Sequence, residues 1–159
     1  MGTYQSGIYF SGPRQWPASK LVDGFGLDGV WGCGGCATAE RGEGFLGPEY
    51  FSLELDVPQI VTKVQIVRRM DYTEHQGHNV TISVGQSKYY EEEEPLCLPE
   101  IPELQERGGF VDYNCTKEVK GKYVKISSTE STFSLCEVKV FILSEGKLSL
   151  WIPENHSPH

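Results

Sequence analysis

The chain has no apolar run long enough to cross a bilayer, so membrane insertion is not expected. It also lacks the long three-to-four-residue apolar spacing that marks amphipathic helices. With 18 glycines and 9 prolines in 159 residues, the predicted class is short strands joined by turns. There is no surplus of basic charge: 14 Lys and Arg stand against 22 Asp and Glu, a net charge of −8. Nucleic acid, which demands a basic face, is therefore not an expected partner. Sugars and proteins are not excluded. No coiled-coil segment, collagen segment or internal repeat is present. The opening residues, M-G-T-Y-Q-S-G, lack the charged start and apolar block of a secretory signal. Three sequons nevertheless point outside the cell: Asn79-Val-Thr, Asn114-Cys-Thr and Asn155-His-Ser. So do the 5 cysteines, which suit disulfides in an oxidising compartment and, being odd in number, leave one thiol over. A mature or excised part of a secreted protein accommodates all of this.

The stretch Ile60–Gly85 carries the clearest pattern. Val64 and Ile66 alternate with Lys63 and Gln65, and Val80, Ile82 and Val84 alternate with Thr81 and Ser83. A period of two places each apolar set on one face of a sheet. Between these strands lies a loop of forked hydrogen-bonding groups, Arg68, Arg69, Asp71, Glu74, His75, Gln76 and His78. A rigid sheet presenting a polar loop is a common arrangement for binding; a solvated hairpin end is the plainer alternative.

Several other segments read as follows. Ile8-Tyr9-Phe10 is expected in an edge strand that leads into turns. Ser19–Cys36 is crowded with glycine and must turn tightly. Its bent carbonyls, beside Asp23 or Asp28, could hold a hard cation such as calcium, although the spacing is not that of an EF-hand; the alternative is Asp side chains capping turns. Phe51, Leu53, Leu55 and Val57 are expected on one face of a strand that Pro58 ends. Residues 86–112 contain Glu91–Glu94 and Pro95, Pro99 and Pro102. They are read as a long, exposed acidic loop, solvated rather than serving a cation or basic partner. Cys97 and Cys115 bracket it, and a bridge between them would close it. Two more strands follow, with Val124 and Ile126, then Val138, Val140 and Ile142, facing inward. Many short strands without helices indicate an all-β antiparallel sandwich. The domain is placed at 1–145, with 146–159 as a C-terminal strand or linker tail.

In order, the chain shows Leu21-Val22-Asp23-Gly24, a cysteine in a Gly-rich loop, and the aromatic pair Tyr50-Phe51 before an alternating strand. Arg69-x-Asp71, Val84-Gly85, Gly121-Lys122-Tyr123-Val124 and Leu135-Cys136-Glu137-Val138 follow. Over about residues 5–143 this ordered set resembles the F-type lectin (fucolectin) domains of the discoidin and coagulation-factor type-C superfamily. The resemblance implies a discoidin-like jelly-roll β-sandwich of eight antiparallel strands. It implies a structural calcium held by the carboxylates of Asp23 and Glu137 and by carbonyls of Lys20, Phe25, Cys136 and a residue near Gly35. It implies the bridge Cys97–Cys115, and a second from Cys136 to Cys36, with Cys33 as the alternative partner and otherwise the spare thiol.

The family's fucose motif is incomplete here. Arg69-Met70-Asp71 keeps its Arg-x-Asp. The basic position that follows is Gln76, the histidine position falls near Thr38 or Ala39, and the adjacent cysteine pair is replaced by Tyr72-Thr73. Charged hydrogen bonds to a ligand are worth about 1.5–3 kcal/mol each. Losing two of three weakens binding on the order of a hundred- to a thousandfold or more. New contacts from Tyr72, His75 or His78 would then be required.

The expected activity is that of an extracellular, calcium-containing, lectin-like carbohydrate-recognition domain, not an enzyme. Arg69, Asp71, Tyr72, His75 and Gln76 form its binding face, and its partner is a glycan or cell-surface glycoprotein. The alternative is a cell-adhesion module of the same fold that binds a protein. A third reading joins Cys33-x-x-Cys36 to His75-x-x-His78 as a zinc site, but a bridge from Cys36 to Cys136 would consume one ligand.

Overall fold

The computed structural model describes residues 2–6, 10–11, 14–15, 17–24, 35–40, 47–70, 77–91, 93–105, 109–130 and 132–151. The alternating apolar residues build strands throughout them. These are β1 (Thr3–Gln5), β2 (Phe10–Ser11), β3 (Arg14–Gln15), β4 (Ala37–Glu40), β5 (Glu49–Arg68), β6 (His78–Gly85), β7 (Leu96–Glu103), β8 (Val111–Ser128), β9 (Thr132–Ser144) and β10 (Lys147–Trp151). One 3-10 helix, Ala18–Val22, precedes β4. Eight of the strands join in a single antiparallel hydrogen-bonded system, while β2 and β3 pair separately.

The long strands β5 and β8 organise the sandwich. Glu49–Glu54 of β5 pairs with Tyr123–Ser128 of β8. On its other side β5 takes β1 at Phe51–Leu53, and β8 takes β6 and then β7. This front layer runs β1-β5-β8-β6-β7. Between Glu54 and Gln59 the register breaks, and Gln59–Ile66 then pairs with Val111–Gly121 of β8. In this second half β5 also pairs with β9, which carries β4 at one end and β10 at the other. That is the back layer. Strands that switch layers at a break make the corners of such a fold. Gly121 sits at this corner, where a Cβ would come within 2.8 Å of the Gly85 carbonyl oxygen.

One core lies between the layers, and Phe51 meets Phe133 across it at 5.5 Å between ring centroids. Val64, Ile66, Val80, Ile82, Val84, Val124, Ile126, Val138, Val140 and Ile142 are all buried in it, as their alternation requires. A small second cluster outside the back layer joins Val67 to Cys36 and Cys136, with Phe110 packed against it. The disulfides Cys36–Cys136 and Cys97–Cys115 are both formed. Cys33 lies outside the described residues.

Three expectations need correction. Pro58 does not end a strand: β5 continues through it. The proline falls within the register break, where no ladder asks for its missing N–H, and Val57 there is exposed instead of facing inward with Phe51, Leu53 and Leu55. Nor do Pro99 and Pro102 prevent regular structure. They lie in β7, the last strand of its layer, and an edge strand tolerates proline. The acidic run is not wholly solvated either. Glu91 and Glu93 are exposed, but Glu94 is buried in an ion pair with Lys125. Of the apolar patch expected as an edge strand, Phe10 lies in β2, which pairs only with β3, and Ile8 and Tyr9 lie outside the described residues. After the turn at Glu145–Gly146, Lys147–Trp151 is β10, and it buries Trp151.

Candidate functional site

The strand registers bring several ends together at one pole of the sandwich. Arg68 ends β5 beside Leu135 near the start of β9. His78 begins β6 opposite Glu103, which ends β7. Ser128 ends β8 opposite Val80, and Glu40 ends β4 opposite Thr132. The polar loop singled out in the sequence therefore leaves and re-enters the fold at this apex. Arg69 follows β5 there, half-buried. Asp71, Tyr72, His75 and Gln76 lie outside the described residues.

The base of the loop is built around Arg68. Its side chain is only 2 % exposed. Nη1 donates to Glu103 Oε1 at 3.0 Å and also to the Leu104 carbonyl. The Leu104 amide donates to the Gly77 carbonyl at 2.7 Å. Gly77 adopts φ +81, and a Cβ there would stand 3.1 Å from Arg68 Nε. One buried guanidinium thus ties the strand entering the loop to the residue leaving it. Alternation foretells this burial, because Arg68 shares the inward parity of Val64 and Ile66. The sequence reading instead took Arg68 as part of the polar loop.

His78 extends the cluster. Its Nε2 is 3.3 Å from Glu103 Oε1, and its Nδ1 is 4.0 Å from Glu130 Oε1. Ser128 Oγ donates to the His78 carbonyl at 2.6 Å. The hydrogen bond from Arg68, reinforced by the charges of Arg68 and His78, holds the Glu103 carboxyl below its ordinary range. His78 is therefore partnered by carboxylates. Neither Thr38 nor Ala39 reaches this apex: both are buried in β4, and the Thr38 hydroxyl bonds to that of Ser134 at 2.7 Å.

The residues expected around calcium meet elsewhere. Lys20 lies in the 3-10 helix and Asp23 caps it. The Gly24 amide donates to Glu137 Oε1 at 2.8 Å. Glu137 is 4 % exposed, and the neighbouring Cys136 is bridged to Cys36, next to buried Gly35. The turn after Asp23 thus adjoins Glu137, which follows the bridged Cys136, and carboxylate and carbonyl oxygens are the ligands a hard cation takes. Among the described residues no three His, Cys, Asp or Glu side chains group as metal ligands. A calcium shell here would therefore draw on backbone carbonyls. Phe25 lies outside the described residues. The zinc reading loses Cys36 to its disulfide, and Cys33 and His75 lie outside the described residues.

No protein-family model and no curated protein matches the sequence. Solved structures do match. An F-lectin (fucolectin) from the serum of Morone saxatilis (striped bass) superposes with a TM-score of 0.72 at 23% identity, over 92% of this chain and 48% of that one. The chain carries the fold of an F-type lectin. It spans about half the length of the striped-bass chain. It matches a fucose binding module of Streptococcus pneumoniae at TM-score 0.66 and 21% identity, over 89% of this chain and 90% of the module. The lectin domain of lectinolysin, complexed with Lewis B antigen, superposes with a TM-score of 0.68 at 19% identity, over 90% of this chain and 93% of that one.

Proposed function

We propose that this is a carbohydrate-recognition domain, non-enzymatic and extracellular, whose binding face is the apical loop carrying Arg69, Asp71, Tyr72, His75 and Gln76. The observation that carries the reading is the Arg68 staple within an F-type lectin fold. A buried guanidinium fixes both ends of a loop rich in hydrogen-bonding groups, and preorganisation of this kind is what weak sugar binding requires. In this reading Arg69 donates to sugar hydroxyls, Asp71 orients Arg69, and Tyr72 packs on an apolar sugar face. The glycans bound by the striped-bass, pneumococcal and lectinolysin relatives suggest the ligand class. The eroded motif argues against the ordinary fucose contacts.

We further propose a structural calcium between Asp23 and Glu137. Supporting it are the buried Glu137 carboxylate and the adjoining turn. Such an ion would lock the 3-10 helix to β9. Chelation should lower the melting temperature of the native chain and leave that of Glu137→Gln unmoved; equal effects of chelator on both proteins would remove calcium from the account. Immobilised glycans test the sugar reading. A folded domain silent on all of them would favour the adhesion-module alternative.

A further inference from the structure

Alternation sends one set of front-layer side chains away from the core. Tyr50, Ser52 and Glu54 of β5 take this outward parity, as do Tyr123 and Lys125 of β8 and Tyr4 of β1, which pairs with Ser52. The segment after β6 adds Tyr89 and Tyr90, and Tyr90 lies 6.4 Å from Tyr50 between ring centroids. Tyr4 lies 6.4 Å from Tyr123. Tyr4, Tyr50, Tyr89, Tyr90 and Tyr123 make this face home to five of the 8 tyrosines in the chain. An open groove of about 490 Å³ runs along it, with Tyr4, Tyr50, Tyr89, Lys88 and Ser19 in its walls. That volume lies within the roughly 300–1,000 Å³ of small-molecule sites.

The groove is built rather than incidental. Lys125 is fully buried, and its ammonium donates both to the Tyr89 carbonyl and to Glu94. Ser83 Oγ donates to the other Glu94 oxygen at 3.1 Å. A buried ion pair thus holds Tyr89 in place, yet leaves that residue 62% exposed. Lys88 Nζ stands 4.8 Å from the Tyr4 ring centroid and 5.3 Å from that of Tyr89, so a hydrogen-bond donor is fixed between two aromatic faces. Ser52 Oγ, on the same parity, is buried with no hydrogen-bond partner among the described residues.

We propose that this front-face groove is a second saccharide site, separate from the apical loop and sharing with it only the ligand class. The exposed Tyr89 ring, with the half-buried Tyr4 beside it, stacks on the apolar face of a pyranose ring, while Lys88 and the nearby hydroxyls bond to sugar hydroxyls. The ligand is a neutral sugar. Exposed Glu91 and Glu93 follow Tyr89 closely in the chain, and the net charge of −8 opposes acidic glycans.

The test is fluorine NMR of the full chain labelled with 3-fluorotyrosine, each resonance assigned by a Tyr→Phe variant. The probes are the methyl glycosides of fucose, galactose and N-acetylglucosamine, with sialic acid as the acidic comparison. The expected result is a saturable shift of the Tyr4 and Tyr89 resonances with at least one neutral glycoside, retained in Arg69→Ala. Tyr89→Ala should weaken that response up to about tenfold, the worth of one stacked ring. Because Tyr89 is exposed, its loss should leave the melting temperature unchanged. The proposal fails if Tyr4 and Tyr89 respond to no neutral sugar, if they respond to sialic acid alone, or if Arg69→Ala abolishes their response. The Tyr72 resonance reports the apical loop separately, so failure at one site is distinguishable from failure at the other.

Discussion

Arg68 and Glu103 join the ends of two strands at the apex, Nη1 to Oε1 at 3.0 Å. The contact matters because the same guanidinium also bonds to the Leu104 carbonyl and packs against Gly77. Replacing Arg68 with Met should leave that buried carbonyl short of a donor and cost about 2–4 kcal/mol in urea unfolding. Lys at this position keeps the charge but not the fork, and should fall between the two. If Arg68→Met unfolds at the wild-type urea midpoint, the staple does not hold the loop.

Glu103 makes stability depend on pH in a definite direction. Its folded pKa lies below the ordinary 4.5, chiefly through the Arg68 hydrogen bond. Such a group contributes stability that is complete above the unfolded pKa and is lost as pH falls through the folded one. Wild type should therefore lose stability below about pH 4.5, and Arg68→Met should lose less over the same range. Parallel pH profiles for the two proteins would show that this pair is not coupled to folding.

The Lys125–Glu94 pair gives a sharper contrast. Both side chains are buried, at 0% and 5% exposure. Removing one partner strands a buried charge and should cost about 3–5 kcal/mol, so Lys125→Met is strongly destabilised. Adding Glu94→Gln removes the stranded charge and should restore much of the loss, giving a large coupling in the double-mutant cycle. Additive losses would mean that the two charges act independently.

The disulfides should differ in their worth. Cys36–Cys136 spans a sequence separation of 100, whereas Cys97–Cys115 spans 18. Loop-closure entropy assigns about 5 kcal/mol to the first and about 3 kcal/mol to the second. Double Ser variants compared by thermal unfolding should follow that order, and the reverse order would contradict a chain-entropy origin.

The alternating strands were legible from the residues, and so was the fold class, because period two with buried Val and Ile leaves one inward face. The Cys97–Cys115 bridge was legible from the loop it brackets, while the Cys36–Cys136 bridge and the pairing of Asp23 with Glu137 as ligands came from the resemblance to F-type lectins. Other features were not legible. The continuation of β5 through Pro58 depends on a register break set by β8, which no local residue announces. The inclusion of Pro99 and Pro102 in β7 depends on that strand being an edge. The burial of Glu94 depends on Lys125, 31 residues away, whereas the run of acids around it suggests only water. Arg68 could have been found: its inward parity in a buried strand marks an arginine that must have partners.

The most direct measurement is the binding of the multimerised domain to a glycan array, with calcium and with chelator, beside Arg69→Ala. Multimers are needed because weak sites gain by avidity. The account predicts calcium-dependent signal on a restricted set of glycans, of which Arg69→Ala loses those held by the apical loop and keeps those of the front groove, while the domain remains folded. Silence on every glycan by a correctly folded wild type would contradict it, and so would a glycan profile that Arg69→Ala leaves wholly unchanged.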